Sequence, residues 1–191
     1  MQLFDTSLND NMEVIKGDVL VAEPFLDDPN FARSVILICE HKEEGAFGLV
    51  INKPVSVDVE DVPDPLIMGN DIFVGGPVEQ NTLHVIHTFD MLDGSTKLQE
   101  GVFWGGNYDE LKLLHMNGEV SSKNCRLFVG YSGWGKNQLE EELNKNSWVI
   151  AKIDLKKIFE IEPENLWQEV LRSMGSKYKM LSNYPIDPRL N

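Results

Sequence analysis

The hydrophobic pattern changes period several times along the chain. Residues 18–23 alternate apolar and polar positions and predict a strand that Pro24 ends. A turn cluster, Asp27-Asp28-Pro29-Asn30, follows. Residues 33–40 form a continuous apolar run, the mark of a strand buried on both faces, and residues 45–52 form a second. The four-residue link 41–44 predicts a hairpin between them. Residues 53–70 carry prolines and glycines with few apolar positions, so a loop with one helical turn is expected. Short strands are predicted at 71–74, 82–88 and 101–104, with a polar, turn-rich stretch at 91–100.

The spacing becomes helical at 108–116, where Leu111, Leu114 and His115 recur and Gly118 stops the run. A strand at 125–131, a helix at 137–144 and a strand at 148–153 follow. The clearest helix is 163–174. Pro163 suits its first turn, Leu166, Trp167, Val170, Leu171 and Met174 make its apolar stripe, and Gly175 suits its end. Residues 184–191 hold two prolines and read as extended; residues 1–16 show no period. Hairpin-like strands come first and most helices later. That order predicts an α+β fold with a largely antiparallel sheet.

The 191 residues suffice for a core without a disulfide or metal, and a single domain spanning 1–191 is expected. Charge narrows the partners. With 31 acidic and 17 basic residues the net charge is −14, which repels a polyanion, so direct nucleic-acid binding is disfavoured. The local group Lys152, Lys156 and Lys157 reads as a solvated face. An anionic membrane surface is disfavoured on the same ground, whereas a basic partner or a cation is easier to bind. No apolar run approaches the roughly 18 residues of a membrane span. The first 18 residues carry Asp5, Asp10, Glu13 and Asp18 against one lysine, the wrong charge for a signal peptide. A cytoplasmic location is therefore expected.

Candidate chemistry is sparse. Cys39 and Cys125 both fall in apolar strand runs and read as buried thiols without zinc spacing; a single bridge between them stays compatible with the sequence. Gly130-Tyr131-Ser132-Gly133-Trp134-Gly135-Lys136-Asn137 fits the first part of a phosphate-binding loop. Asn137 stands where a Ser or Thr should hold magnesium, so a strand–turn–helix junction with conformational glycines is the expected reading. His84 and His87 lie three apart in a strand and point to opposite faces, so they cannot chelate one ion together; no metal site and no cofactor are implied. Ser132 lacks the last glycine of a nucleophile elbow. Glu140, Glu141 and Glu142 read as an exposed helix face. Gly75-Gly76-Pro77 reads as a tight turn, with an anion-binding nest as the alternative.

Several segments stand in a distinctive order. They are Leu20-Val21-Ala22-Glu23-Pro24, Asp28-Pro29-Asn30-Phe31-Ala32-Arg33-Ser34-Val35 and Cys39-Glu40-His41, then Gly45-Ala46-Phe47-Gly48-Leu49-Val50-Ile51-Asn52-Lys53-Pro54 and Gly75-Gly76-Pro77-Val78. Gly130-Tyr131-Ser132-Gly133-Trp134 and Gln138-Leu139-Glu140 complete the series, with Trp148 beyond. Together they resemble the YqgE/AlgH family of bacterial proteins from about Gly17 to the C-terminus, leaving residues 1–16 uncovered. The resemblance implies sheets curled into a partial barrel flanked by helices. It places Lys136 in a variable step, which makes the phosphate-loop match incidental. It brings no catalytic residues and no cofactor. The name of one member links it to transcriptional control of alginate synthesis, a link that suits a protein-mediated route better than DNA contact.

These observations point to a non-enzymatic binding or regulatory module, with a protein partner or self-association. An enzyme or sensor for a small anionic ligand at the Gly-rich turns is the alternative. The candidate surface consists of Arg33, Asn52, Gly75, Gly76, Ser132, Trp134 and Gln138, polar or aromatic groups at strand ends.

Overall fold

A computed structural model describes residues 13–55, 64–68 and 70–184. Part of the expected loop at 53–70 and nearly all of the expected extended tail therefore lie outside the described residues. The strands are β1 (Val19–Ala22), β2 (Val35–Lys42), β3 (Gly45–Val50), β4 (Pro54–Val55), β5 (Ile72–Val74), β6 (Val78–His87), β7 (Ser95–Gln99), β8 (Val102–Gly105), β9 (Cys125–Gly135) and β10 (Trp148–Ala151). The helices are α1 (Pro65–Met68), α2 (Tyr108–Met116), α3 (Gln138–Asn144), α4 (Pro163–Ser173) and α5 (Ser176–Leu181), with a 3-10 turn at Leu155–Phe159. The fold is α+β, as the order of elements predicted.

The main sheet runs β10-β1-β2-β3-β9-β6-β8-β7, each neighbour antiparallel. β5 adds to β9 in parallel and carries β4 on its other side. The continuous apolar run at 33–40 follows from burial on both faces of β2; β1 is buried on both faces as well, so the alternation expected at 18–23 is absent from Val19–Ala22. Val19, Val21, Val35, Leu37 and Cys39 enter one core with α4; Leu20, Ala22, Ile36 and Ile38 enter a second core with Trp134 and Trp148. A third core lies under α2, around Leu111, Val85 and Leu127.

α4 forms as its stripe predicts, with Pro163 in its first turn and Leu166, Trp167, Val170 and Leu171 buried. The Trp167 indole donates to Ala22 O at 2.9 Å, which fixes the helix on β1. α2 is capped by Asn107, whose side chain accepts from the amides of Asp109 and Glu110.

Two further expectations need correction. The polar stretch at 91–100 contains β7, because only one face of this edge strand is covered and its outward positions stay polar. The strand expected at 125–131 runs on to Gly135, so Gly130 to Gly135 is not a turn before a helix. At Gly130 (φ +67°) the strand changes neighbours, from β5 at Val129 to β3 at Ser132. Gly130 permits that switch and the close approach of the β5–β6 turn, since a Cβ there would stand 2.7 Å from Gly76 O.

Strand pairing does not close the sheet. Its two edge regions share a core, and one side chain carries hydrogen bonds between them. Gln99 of β7 donates to Ile153 O at 2.9 Å and accepts from Leu155 N at 2.8 Å, just beyond β10. The carboxamide completes the backbone pairing that a further strand would supply. Gln99→Ala should cost about 1–3 kcal/mol, since both backbone groups lose their partner. Gln99→Glu should be destabilised at pH 7, where a carboxylate faces Ile153 O, and should regain stability on acidification as the carboxyl protonates and donates. Urea denaturation at pH 7 and pH 4, compared with the parent protein, measures both effects.

Candidate functional site

The seven candidate residues fall into three groups. Arg33 and Asn52 form the first. Asn52 accepts from Val35 N at 2.8 Å and donates to Arg33 O at 2.9 Å, which holds the backbone of Arg33 at φ +53°. The Arg33 guanidinium lies 4.6 Å over the Trp167 ring and donates to Tyr184 O.

Gly75, Gly76 and Ser132 form the second group, where the turn between β5 and β6 presses against β9. Gly75 N donates to Val129 O, and Gly75 O accepts from Val50 N at 2.8 Å and from the Ser132 hydroxyl at 3.1 Å. A Cβ on Gly75 would stand 2.3 Å from Gly130 O. Ser132 is buried and its hydroxyl faces a carbonyl, not a base.

Trp134 and Gln138 form the third group, around a residue that the sequence reading set aside. Glu142 Oε2 accepts from the indoles of Trp134 at 2.9 Å and Trp148 at 2.7 Å, and its Oε1 accepts from Gln138 Nε2 at 3.0 Å. Gln138 Oε1 in turn accepts from Gly135 N at 3.0 Å. The two indoles meet edge to face at 6.3 Å. The available signal was the i,i+4 spacing of Gln138 and Glu142 on a helix that follows one tryptophan and precedes another. A cavity of about 240 Å³ beside this clamp contains Trp134 and Gln138 but none of the other five candidates. Lys136, the residue that suggested a phosphate loop, pairs with Glu43 at 2.9 Å.

Buried ionisable groups elsewhere are held in fixed states. Burial pushes the Cys39 thiol well up and the Cys125 thiol up to about 12, so both stay protonated; both are free and belong to different cores. Burial lowers Arg126 to about 10 against the opposing charges of Asp71 and Glu162. Its guanidinium donates to Ile51 O and Ile161 O and lies over Phe73, tying the exit of β3 to the approach of α4. Lys152 pairs with Asp18 and Lys157 with Glu160, so two of the three lysines of the local basic group are neutralised.

His87 is fully buried and locked as a neutral tautomer. Its Nε2–H donates to Gly105 O at 2.9 Å and its Nδ1 accepts from Phe89 N at 3.1 Å. Burial lowers its pKa below the ordinary 6.5, while Gly105 O pulls the other way. His84, in the same strand but facing the opposite side, is lowered by burial as well. The unfolded imidazoles protonate near 6.5 and the folded ones only at lower pH. The native state therefore binds fewer protons across that window, and its stability falls as pH drops through it. Unfolding free energy should decline between pH 6.5 and 5, and His87→Gln should show a shallower decline, as read by denaturant melts at half-unit intervals.

A different surface has the character of a binding site. The turn after β6 and the outer face of α2 enclose a cavity of about 440 Å³. Phe89, Met91, Leu92, Leu113 and Leu114 give it an apolar floor, and its charged residues are Asp90, Glu110 and Glu119, all acidic. Met91 is 88% exposed, Leu113 60% and Met116, one turn further along α2, 75%. Glu110 accepts from Asp93 N at 3.1 Å and pins the turn to the helix. The sequence showed these apolar residues, but not that the turn and the helix face would lie side by side. Among the described residues, no helix is long and apolar enough to cross a membrane.

The AlgH-like family model matches residues 19–179. A UPF0301 protein of Cytophaga hutchinsonii is 48% identical over 92% of this chain and 98% of its own, and one of Chlorobaculum tepidum is 37% identical over 96% of this chain and all of its own. Two solved structures share the fold. A Corynebacterium diphtheriae protein superposes with a TM-score of 0.73 at 26% identity, covering 92% of this chain and 95% of that one. The AlgH protein of Pseudomonas aeruginosa does so at 0.69 and 28%, covering 93% and 98%.

Proposed function

Since this chain belongs to the AlgH-like family, and its own geometry offers a docking groove, we propose that it is a binding module of regulatory character rather than an enzyme. Its partner is a protein that presents a cationic, amphipathic segment to the groove between α2 and the 89–92 turn. One observation carries this reading: exposed Met91 and Leu113 line a groove whose charged residues are all acidic, with exposed Met116 one helical turn beyond Leu113 on α2. Exposed large apolar groups gathered in one place mark interaction sites, and methionines adapt to varied partner side chains. Acidic rims select a basic segment and speed its approach. A second copy of this chain fits poorly, because each copy carries a charge of −14. An influence on transcription would run through such a partner in the cytoplasm, not through DNA contact.

No feature of the geometry favours the alternative of a small anion held by Arg33 and the Gly-rich turns. The Arg33 guanidinium is engaged by Trp167 and Tyr184 O, and the Gly75 amide by Val129 O.

The test is photo-cross-linking from position 113 in the native cell, with exposed Met180 on α5 as the control position. The expected result is a protein adduct specific to position 113. The purified partner should then bind the parent protein with an affinity that weakens as salt rises, and Leu113→Lys should weaken it at least tenfold. The reading fails if no adduct is specific to position 113, or if the captured protein binds the Leu113→Lys variant unchanged.

A further inference from the structure

Two exposed thioethers border the groove beside α2. Met91 lines it, and Met116 follows Leu113 by one turn of the same helix. The protein's other sulfur groups are placed differently. Cys39 and Cys125 are buried, and burial keeps both thiols protonated, so neither offers a thiolate to an oxidant. Met174 is 1% exposed, in the core that α4 shares with β1 and β2. Met180 is exposed, but it sits on α5, which contributes no residue to the groove lining.

A thioether reacts through a sulfur lone pair and needs no deprotonation first, so access to solvent governs its oxidation. With hydrogen peroxide the lone pair attacks one peroxide oxygen. An S–O bond forms as the O–O bond breaks, and the proton on the transferred oxygen passes to the leaving one. The sulfur loses two electrons, the peroxide gains them, and a sulfoxide and water result. A reductase carrying a dithiol reverses the change: it supplies two electrons and two protons, the oxygen leaves as water, and the dithiol becomes a disulfide.

Oxidation turns a flexible apolar side chain into a polar one with a strong acceptor oxygen. Burying that oxygen against a partner without a donor is costly. The charged residues that line the groove, Asp90, Glu110 and Glu119, are carboxylates, which accept hydrogen bonds and do not donate them. A sulfoxide there gains no charged donor from the groove itself, while the apolar surface that draws a partner shrinks.

We propose, on the premise that the groove docks a protein partner, that Met91 and Met116 form a peroxide-sensitive modification site whose sulfoxides reversibly switch that docking off. The thioethers are the contact surface in the reduced protein and the obstacle in the oxidised one. The buried thiols take no part.

The experiment uses the full chain carrying the photo-cross-linker at position 113. The protein is oxidised with hydrogen peroxide, freed of oxidant with catalase and mixed with soluble extract of the native cell; peptide mass spectrometry locates the added oxygen. The expected result is oxidation of Met91 and Met116 well ahead of buried Met174, with the position-113 adduct about tenfold weaker or more than from untreated protein. The two types of methionine sulfoxide reductase, one per sulfoxide epimer, should together restore it. The Met91→Leu/Met116→Leu variant keeps an apolar surface and removes both sulfurs, so its adduct should survive the same peroxide treatment. Absence of a position-113 adduct even from untreated protein would overturn the docking of a partner and, with it, its control by oxidation. Three results would overturn the control by oxidation alone: a full-strength adduct from protein oxidised at both positions, an equal loss of adduct in the double variant, or oxidation of Met91 and Met116 no faster than that of Met174.

Discussion

Replacing Glu142 with alanine is expected to destabilise the fold by about 3–5 kcal/mol, among the larger costs for a single side chain in this protein. The carboxylate accepts three hydrogen bonds, two of them from indoles that are 6% and 4% exposed at Trp134 and Trp148. Water entering from the adjoining cavity offsets only part of the loss, and an orphaned buried donor costs about 1–3 kcal/mol. The loss also releases α3 from β9 and β10, since Trp134 lies on one strand and Trp148 on the other. Glu142→Gln keeps an acceptor oxygen for the indoles and should cost much less, about 1 kcal/mol. Urea unfolding followed by tryptophan fluorescence and by far-ultraviolet circular dichroism measures both. An alanine variant within 1 kcal/mol of the parent would mean that the clamp is incidental to stability.

Gly76→Ala is expected to be worse, at more than about 4 kcal/mol, and to leave little folded protein. A Cβ at Gly76 would stand 2.2 Å from both C and O of Tyr131, with φ at +155°. The obstacle is backbone, not a flexible side chain, so relief requires the β5–β6 turn to lift off β9. That movement would break the Gly75 bonds to Val129, Val50 and Ser132 together. Gly94→Ala supplies the contrast. Gly94 also has a positive φ, of +74°, but a Cβ there meets nothing within 4 Å. Its cost should be limited to backbone strain, about 1 kcal/mol. Soluble yield and melting temperature should therefore separate the two variants widely. Similar behaviour in both would show that φ alone, not the close approach, governs position 76.

Much of the architecture was legible because local chemistry and burial agree. The stripe of Leu166, Trp167, Val170 and Leu171 with Pro163 at its head could only be an amphipathic helix, and α4 is one. The runs containing Val35 to Cys39 and Leu49 to Ile51 signalled strands covered on both faces, which β2 and β3 are. β7 was hidden because one face of an edge strand is wet and polar, like a loop. The extension of β9 through Gly133 and Gly135 was hidden for another reason. Glycine usually signals a turn, and only the tertiary structure shows Gly130 inside a strand, where the β5–β6 turn leaves no room for a side chain.

The candidate site shows the same division. Arg33, Asn52, Gly75, Gly76, Ser132, Trp134 and Gln138 were chosen from motifs, and each has a partner inside the protein. Short sequence motifs report close backbone contacts as readily as they report ligands. By itself the sequence determined the α+β class, the hairpin of β2 and β3, the helices α2 and α4, the family resemblance and the acidic field, because each depends on local periodicity, segment order or simple composition. Only the tertiary structure decided the indole clamp on Glu142, the Gln99 bridge between the sheet edges, and the groove between α2 and the 89–92 turn. Those features join side chains far apart in the chain, and no local period encodes which distant residue will arrive at hydrogen-bonding distance.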